Sequence, residues 1–198
     1  RDPEDPPTPL NKAASSPDRL VMRGVRKNYG ATIALAGIDL QVRAGEVLAV
    51  VGENGAGKST LMKVLAGAVR PDAGGLWLDG KPYAPRSPRH ARAAGVAMIH
   101  QELALVPQLS VAENILLAAE PVRAGFVDRG SLRRLACQAL DCLGRADIAP
   151  NLLVATLPIA DRQVVEIARA VAVGCRVLVL DEPTSSLTRE DIRHLEAL

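Results

Sequence analysis

Aromatic residues are almost missing: one Phe, one Trp and two Tyr in 198 residues, 2% of the chain. That leaves little material for the stacking platforms on which single-stranded nucleic acids are held. Charge of one sign is lacking as well. The 24 Lys and Arg against 22 Asp and Glu give a net charge of +2, which is no polyanion-binding surface. No nucleic-acid partner is expected. Cysteine is scarce: Cys137, Cys142 and Cys175 make neither a paired framework nor a C-x-x-C metal site, and they read as small apolar fillers in a reducing compartment. No run reaches the ~18 apolar residues that a membrane span requires, and no signal peptide is visible, so a soluble chain is expected. No internal repeat is present.

What is there suffices for a core. Hydrophobic residues make up 48% of a length that fits one large domain, or one domain carrying an inserted subdomain. Residues 1–18 stand apart. Pro3, Pro6, Pro7, Pro9 and Pro17 among scattered acids and serines cannot build a core, so they read as a disordered N-terminal arm.

The densest signal is Gly52-Glu53-Asn54-Gly55-Ala56-Gly57-Lys58-Ser59-Thr60, a match to G-x-x-x-x-G-K-[ST]. Glu46 to Val51 before it reads as a short, buried, β-branched strand; apolar residues at helical spacing follow from Ser59 to Ala66, with Gly67 as terminator. Strand, glycine loop and helix is the context such a motif needs, because backbone N–H groups at a helix N-terminus stabilise an anion. The glycines let the main chain wrap a phosphate, Lys58 would neutralise the outer phosphates, and the Ser59 hydroxyl would ligate Mg²⁺.

Upstream, Leu20 to Lys27 and Ala36 to Val42 alternate like half-exposed antiparallel strands. Tyr29 sits between them in a glycine-bounded turn, either as a half-buried turn aromatic or as a flat ring for an adenine base. Gly74 to Gly80 predicts a short strand with Trp77 in the core. Ser87-Pro88 opens a short helix ending near Gly95, and Gly95 to His100 predicts a compact apolar strand. The next residue, Gln101, is either a plain loop residue or an amide that completes a Mg²⁺ shell. Between Leu103 and Ala155 the pattern turns helical, clearest over Val111 to Ala119 and Ser131 to Leu143, with Ser110 and Gly130-Ser131 as start signals and no strand expected. This stretch is a candidate helical subdomain. Asp161 to Val173 predicts one further helix. The run Arg176-Val-Leu-Val-Leu-Asp181-Glu182 then delivers two carboxylates from four buried apolar residues at a strand's carboxyl end, where open parallel sheets bind ligands. Asp181 would hold Mg²⁺ through water, and Glu182 would polarise the attacking water. His100 has no acid or Cys at ligand spacing.

Taken together, GENGAGKST, HQE, LPIADRQVVEIARA and VLVLDEPTSSLT resemble the ATP-binding cassette (ABC) family, in the wording of the ATPase subunits of simple-sugar importers of the ribose, galactose and xylose type. The likeness runs from about Arg19 to Leu198. It implies an α/β P-loop NTPase core with an antiparallel β subdomain and an inserted helical subdomain at about 103–156. It implies ATP and Mg²⁺ as cofactors, Tyr29 as the adenine-stacking aromatic, and Gln101 as a Mg²⁺- and water-linked residue. Leu157, Pro158, Ile159, Ala160 and Asp161 would be the signature loop facing ATP held by a partner cassette, and Ser185 to Thr188 the loop between the two sites. The implied partners are a second cassette, tandem or as a dimer, transmembrane permease subunits and, indirectly, a periplasmic sugar-binding protein. The implied location is the cytoplasmic face of the membrane.

The sequence departs from the family pattern at the signature, LPIAD, where Pro158 removes a hydroxyl and an N–H. It also carries no histidine at the switch position about thirty residues past the acidic pair. The chain is therefore expected to be the N-terminal part of a first cassette, incomplete at its C-terminus. Two rival readings are a non-transport cassette ATPase acting on nucleic acid or ribosomes, and a nucleotide-binding module without turnover.

Overall fold

The computed structural model describes residues 18–99 and 103–181. The arm at 1–17, Gln101, Glu182, Ser185 to Thr188 and His194 lie outside the described residues. Asp18, expected in the arm, already belongs to the first strand. The chain divides into two compact units, Arg1–Ala97 and Met98–Leu198.

The first unit is built on a four-stranded antiparallel sheet. Asp18–Tyr29 (β1) and Thr32–Arg43 (β2) form a long hairpin, and Ala73–Leu78 (β3) and Lys81–Pro82 (β4) complete the order β2-β1-β3-β4. Both predicted strands are present and pair, but β1 does not simply alternate. Leu20, Val21 and Met22 are buried in succession, so both faces of β1 are covered over this stretch. Trp77 is in the core, as its pattern predicts, opposite Val21 of β1. Lys58–Leu65 (α1) buries Leu61, Val64 and Leu65, and Ala66 is its C-cap, followed by Gly67 at φ 69. Tyr83 is buried too, and its hydroxyl donates to the Leu65 carbonyl at 2.7 Å. Pro88–Ala93 (α2) starts where Ser87-Pro88 predicts, with the Ser87 hydroxyl accepting from the His90 N–H at 3.2 Å.

The expected strand at Glu46 to Val51 is not formed. Residues 46–53 carry no strand assignment, and Val51 is 91% exposed. A strand apolar on both faces needs cover on both faces and hydrogen-bonding neighbours at its edges. Among the described residues no strand pairs with this segment.

Val96–Ile99 (β5) leads into the second unit, whose core is helical. Val111–Ile115 (α3), Arg129–Cys142 (α4) and Ile159–Ala172 (α5) pack around Ile115, Leu116, Leu140, Val164 and Ile167. Start signals explain the helices. Ser110 forms a capping box with Glu113, worth about 1 kcal/mol, and Asp128 rather than Gly130-Ser131 caps α4. The expectation of no strand between Leu103 and Ala155 fails: Val122–Arg123 (β6) and Phe126–Val127 (β7) form a small hairpin, too short to show a period. Val177–Leu180 (β8) is hydrogen-bonded to β5, but only Val179 is fully buried where four buried residues were expected. Among the described residues, no helix is long and apolar enough to cross a membrane.

Candidate functional site

The glycine loop runs from Gly52 into α1, with Gly57 as the N-cap at φ 90, ψ 1. Only glycine fits there. A Cβ would lie 2.3 Å from the Ala34 carbonyl oxygen of β2, in a backbone region that L side chains avoid. The main chain thus seats the loop directly against the hairpin. Ala34 is close to Thr32, the pairing partner of Tyr29, so the loop meets the hairpin near its Tyr29 end.

No side chain caps α1, and its first turn holds no acidic residue. The first N–H groups of the helix therefore meet no competing carboxylate from the cap or the first turn, and the helix dipole adds to their positive potential. Lys58 curls back so that its Nζ donates to the carbonyls of Gly52 at 2.5 Å and Glu53 at 2.8 Å. The ammonium is thereby held over its own loop by neutral acceptors, and among the described residues no carboxylate pairs with it. Ser59, the next residue, is exposed. An open cleft of about 520 Å³ flanks the loop, lined by Leu35, Asp39, Leu48, Val51, Gly57 and Lys58.

Tyr29 ends β1 instead of lying in a turn, and it is 47% exposed. The Lys27 ammonium sits 5.7 Å from the ring centroid and is paired at 2.7 Å with Asp72, which also accepts the Asn28 N–H at 2.7 Å. The Lys27 hydrogen bond, then the Asn28 N–H, hold the Asp72 carboxyl below its usual range. Sequence reading missed Asp72, which lies far from Lys27 along the chain.

The other predicted residues belong to the second unit. Asp181 follows β8, and its N–H donates to the Ile99 carbonyl at 3.1 Å. In the 157–161 loop, Leu157 is buried, Pro158 is the N-cap of α5, and Ile159 is 66% exposed. Asp161 accepts from Arg145 at 2.6 Å, and the same guanidinium binds Asp147 at 3.0 Å. The hydrogen bonds to Asp147 and then Asp161 push the Arg145 pKa up, against the effect of its burial. A second polar node was invisible in the sequence. Asn114 is wholly buried; its Oδ1 accepts the Val106 N–H at 2.8 Å, and its Nδ2 donates to carbonyls of Val106, Leu109 and Ser110. Arg169 of α5 donates to the carbonyls of Asn114 at 2.9 Å and Ala104 at 3.1 Å, and Glu166 accepts the Ala104 N–H at 3.2 Å. The segment just past Gln101 is thus fixed to α3 and α5.

The family model described as "ABC transporter" matches residues 35–185. The chain belongs to the ABC transporter family. Among curated relatives, it is 49% identical over 177 residues to the ribose import ATP-binding protein RbsA 1 of Rhizobium etli, covering 89% of this chain and 35% of that protein. It is 50% identical over 196 residues to ribose import ATP-binding protein RbsA 2 of Burkholderia pseudomallei, covering 96% of this chain and 36% of the relative. The cassette chain thus spans about a third of the length of these relatives. Its fold is similar to an ATP-binding cassette of an ABC transporter in its ADP conformation, with TM-score 0.73, 25% identity and coverage of 91% of this chain and 77% of the other. It is also similar to cbiO1 from Clostridium perfringens, part of an ABC transporter complex, with TM-score 0.74 and 26% identity over 90% of this chain and 71% of the other. The P-loop NTPase fold expected from the sequence is the fold of these neighbours.

Proposed function

We propose that the chain is the nucleotide-binding part of an ATPase subunit that energises an ABC importer, with a simple sugar as cargo. The observation that carries this reading is the Lys58 ammonium folded onto the carbonyls of Gly52 and Glu53, at the uncapped N-terminus of α1. Such a loop offers backbone N–H groups and a cation that, among the described residues, has no carboxylate partner, which is the donor set that a polyphosphate requires.

Residues 52–60 would hold the phosphates of ATP, Lys58 exchanging loop carbonyls for phosphate oxygens. Tyr29 would cover the adenine. The Ser59 hydroxyl, Gln101 and Asp181 would complete the shell of Mg²⁺, an ion that keeps most of its ligands as water and phosphate oxygens and needs few from protein. Mg-ATP supplies the bond to be cleaved; Glu182 would accept the proton of the attacking water, and Lys58 would stabilise charge on the transferring group. Residues 157–161 would face nucleotide held by a second cassette, in tandem or as a dimer. On this reading residues 19–198 form the cassette, with a helical subdomain at about 103–156. It docks peripherally at the cytoplasmic face on permease subunits, which a periplasmic sugar-binding protein loads. The import names of the relatives support sugar transport over a nucleic-acid or ribosome role.

One feature favours a second reading, nucleotide binding without turnover. Pro158 has neither hydroxyl nor N–H to offer a partner's nucleotide. The first test is binding. Isothermal calorimetry should show strong loss of Mg-ATP affinity in Lys58→Ala, and equal affinity in the two proteins removes the site.

A further inference from the structure

The β6–β7 hairpin exposes apolar side chains that none of the described residues covers. Phe126 is the chain's only phenylalanine and is 81% exposed; Val122 is 66% exposed and Val127 49%. The register sets Val122 opposite Val127, and Arg123 opposite Phe126. Opposed residues share a face, so one face of this narrow blade is Val-Val and the other Arg-Phe. Both faces are in solvent.

The blade is held firmly. Ala124 at φ 51 and Gly125 at φ 84 supply the paired left-handed conformations of a two-residue turn that matches strand twist. At its base the Asp128 N–H donates to the Pro121 carbonyl at 2.8 Å. The Asp128 carboxylate accepts the Ser131 N–H at 3.1 Å and its hydroxyl at 2.8 Å, so it serves as a helix cap. The charge around the blade is net positive. Four exposed cations, Arg123, Arg129, Arg133 and Arg134, outnumber the three carboxylates near them, Asp128 in its cap, Glu120 accepting the Ala118 N–H at 3.1 Å, and Glu113, whose charge interacts with that of Arg129.

Size decides between classes of partner. A stable protein interface takes roughly 800 Å² and 20–30 residues from each side, far more than two-residue strands present. Insertion of an apolar tip about 5–10 Å into a headgroup boundary needs only such a tip, with cations beside it to meet anionic headgroups. We propose that the 122–127 hairpin is a lipid-surface anchor, seating Phe126, Val122 and Val127 in the headgroup boundary of an anionic membrane while Arg123 and Arg129 meet the phosphates.

The test uses the full 198-residue chain and protein-free vesicles of phosphatidylcholine, with and without phosphatidylglycerol. No nucleotide is added, so failure here and failure of the nucleotide reading are distinguishable. Wild type should co-sediment with the anionic vesicles and bind neutral ones weakly. Phe126→Ser should lose at least about fivefold in lipid affinity, since an inserted aromatic is the largest apolar surface removed from water. Arg123→Glu should lose a similar amount only on anionic vesicles, and added salt should reproduce its loss in wild type. Ile33→Ser, which removes a side chain 67% exposed in the other unit, should bind as wild type does. In Phe126→Trp, emission should shift to the blue on vesicles and be quenched by brominated acyl chains, read against the buried Trp77 of wild type. Lipid binding by Phe126→Ser equal to wild type, or no binding at all, overturns the proposal. So does hairpin dependence seen only with an integral membrane protein in the bilayer, which would assign the blade to a protein partner.

Discussion

Replacing Asn114 by alanine should be among the most costly single changes in the second unit, although the residue touches no proposed ligand. Asn114 is wholly buried, and its amide makes five hydrogen bonds, the longest from the Arg169 guanidinium to Oδ1 at 3.5 Å. The partners are not equally dependent on it. The Val106 carbonyl also accepts the Leu109 N–H at 3.2 Å, the Leu109 carbonyl accepts the Val154 N–H at 3.1 Å, and the Ser110 carbonyl accepts the Asn114 N–H at 2.9 Å. Those three keep a donor in Asn114→Ala. The Val106 N–H, given to Oδ1 at 2.8 Å, loses its acceptor. An orphaned part-buried donor costs about 1–3 kcal/mol and each of the three lost but replaceable bonds about 0.5 kcal/mol, so the total is roughly 2.5–4.5 kcal/mol. Urea unfolding followed by far-UV circular dichroism measures it, because Trp77 fluorescence reports on the first unit. The Arg169 bond to the Asn114 backbone carbonyl should survive, whereas its long 3.5 Å bond to Oδ1 is lost. A loss below about 0.5 kcal/mol would refute the assignment of this amide as the anchor of residues 104–110.

Two further outcomes follow from the geometry. Gly57→Ala sets a Cβ against the Ala34 carbonyl at 2.3 Å with φ 90, where left-handed backbone alone costs about 1–2 kcal/mol; the Trp77-monitored melt should fall by several degrees and nucleotide affinity with it, and an unchanged melt would refute the seating of the loop on β2. Asp72, Glu113, Asp128 and Asp147 are all held below the usual carboxylate range, by Lys27, by the Ser110 hydroxyl, by the Ser131 N–H and by Arg145 respectively. Groups depressed in the folded state stabilise it above their unfolded pKa of about 4 and lose that contribution as pH falls through the folded values, so urea midpoints should be flat near neutrality and drop below about pH 4.5; a midpoint that rises on acidification would contradict the pairing.

Local chemistry was legible in the sequence, and pairing at a distance was not. Ser87-Pro88 and Ser110 announce α2 and α3 because a cap and its helix lie within a few residues. The glycine loop is legible for the same reason, since its N–H groups, Lys58 and α1 are contiguous. The run Glu46 to Val51 has the composition of a buried strand, but a strand is made by its neighbours, and composition does not supply them. The β6–β7 blade escaped because a period of two needs more than two residues per strand. Asn114 reads as one more polar residue in a helical pattern; its value comes from Val106 on one side and Arg169, distant in sequence, on the other.

The 157–161 loop shows how a departure from a family pattern acquires a physical reason once its neighbours are known. Asp161 lies in the first turn of α5, where a carboxylate is favoured by the helix dipole, and Arg145 fixes it at 2.6 Å. Its carboxylate is therefore spent within its own unit, and on the proposed reading it is a positioning residue for the loop rather than a contact to the partner's nucleotide. Pro158 acts differently. As N-cap at φ −55 it is unstrained, since proline holds φ near that value. The N–H groups that a helix start presents along its axis belong to the residues after the cap, here Ile159, Ala160 and Asp161, and no side-chain acceptor from the cap competes for them. The loop thus loses one hydroxyl and one N–H but keeps the helix N-terminus itself. That balance predicts a partner site that is weakened in its hold on the terminal phosphate yet still attracts an anion, which is the reason binding must be measured before turnover in separating the two functional readings.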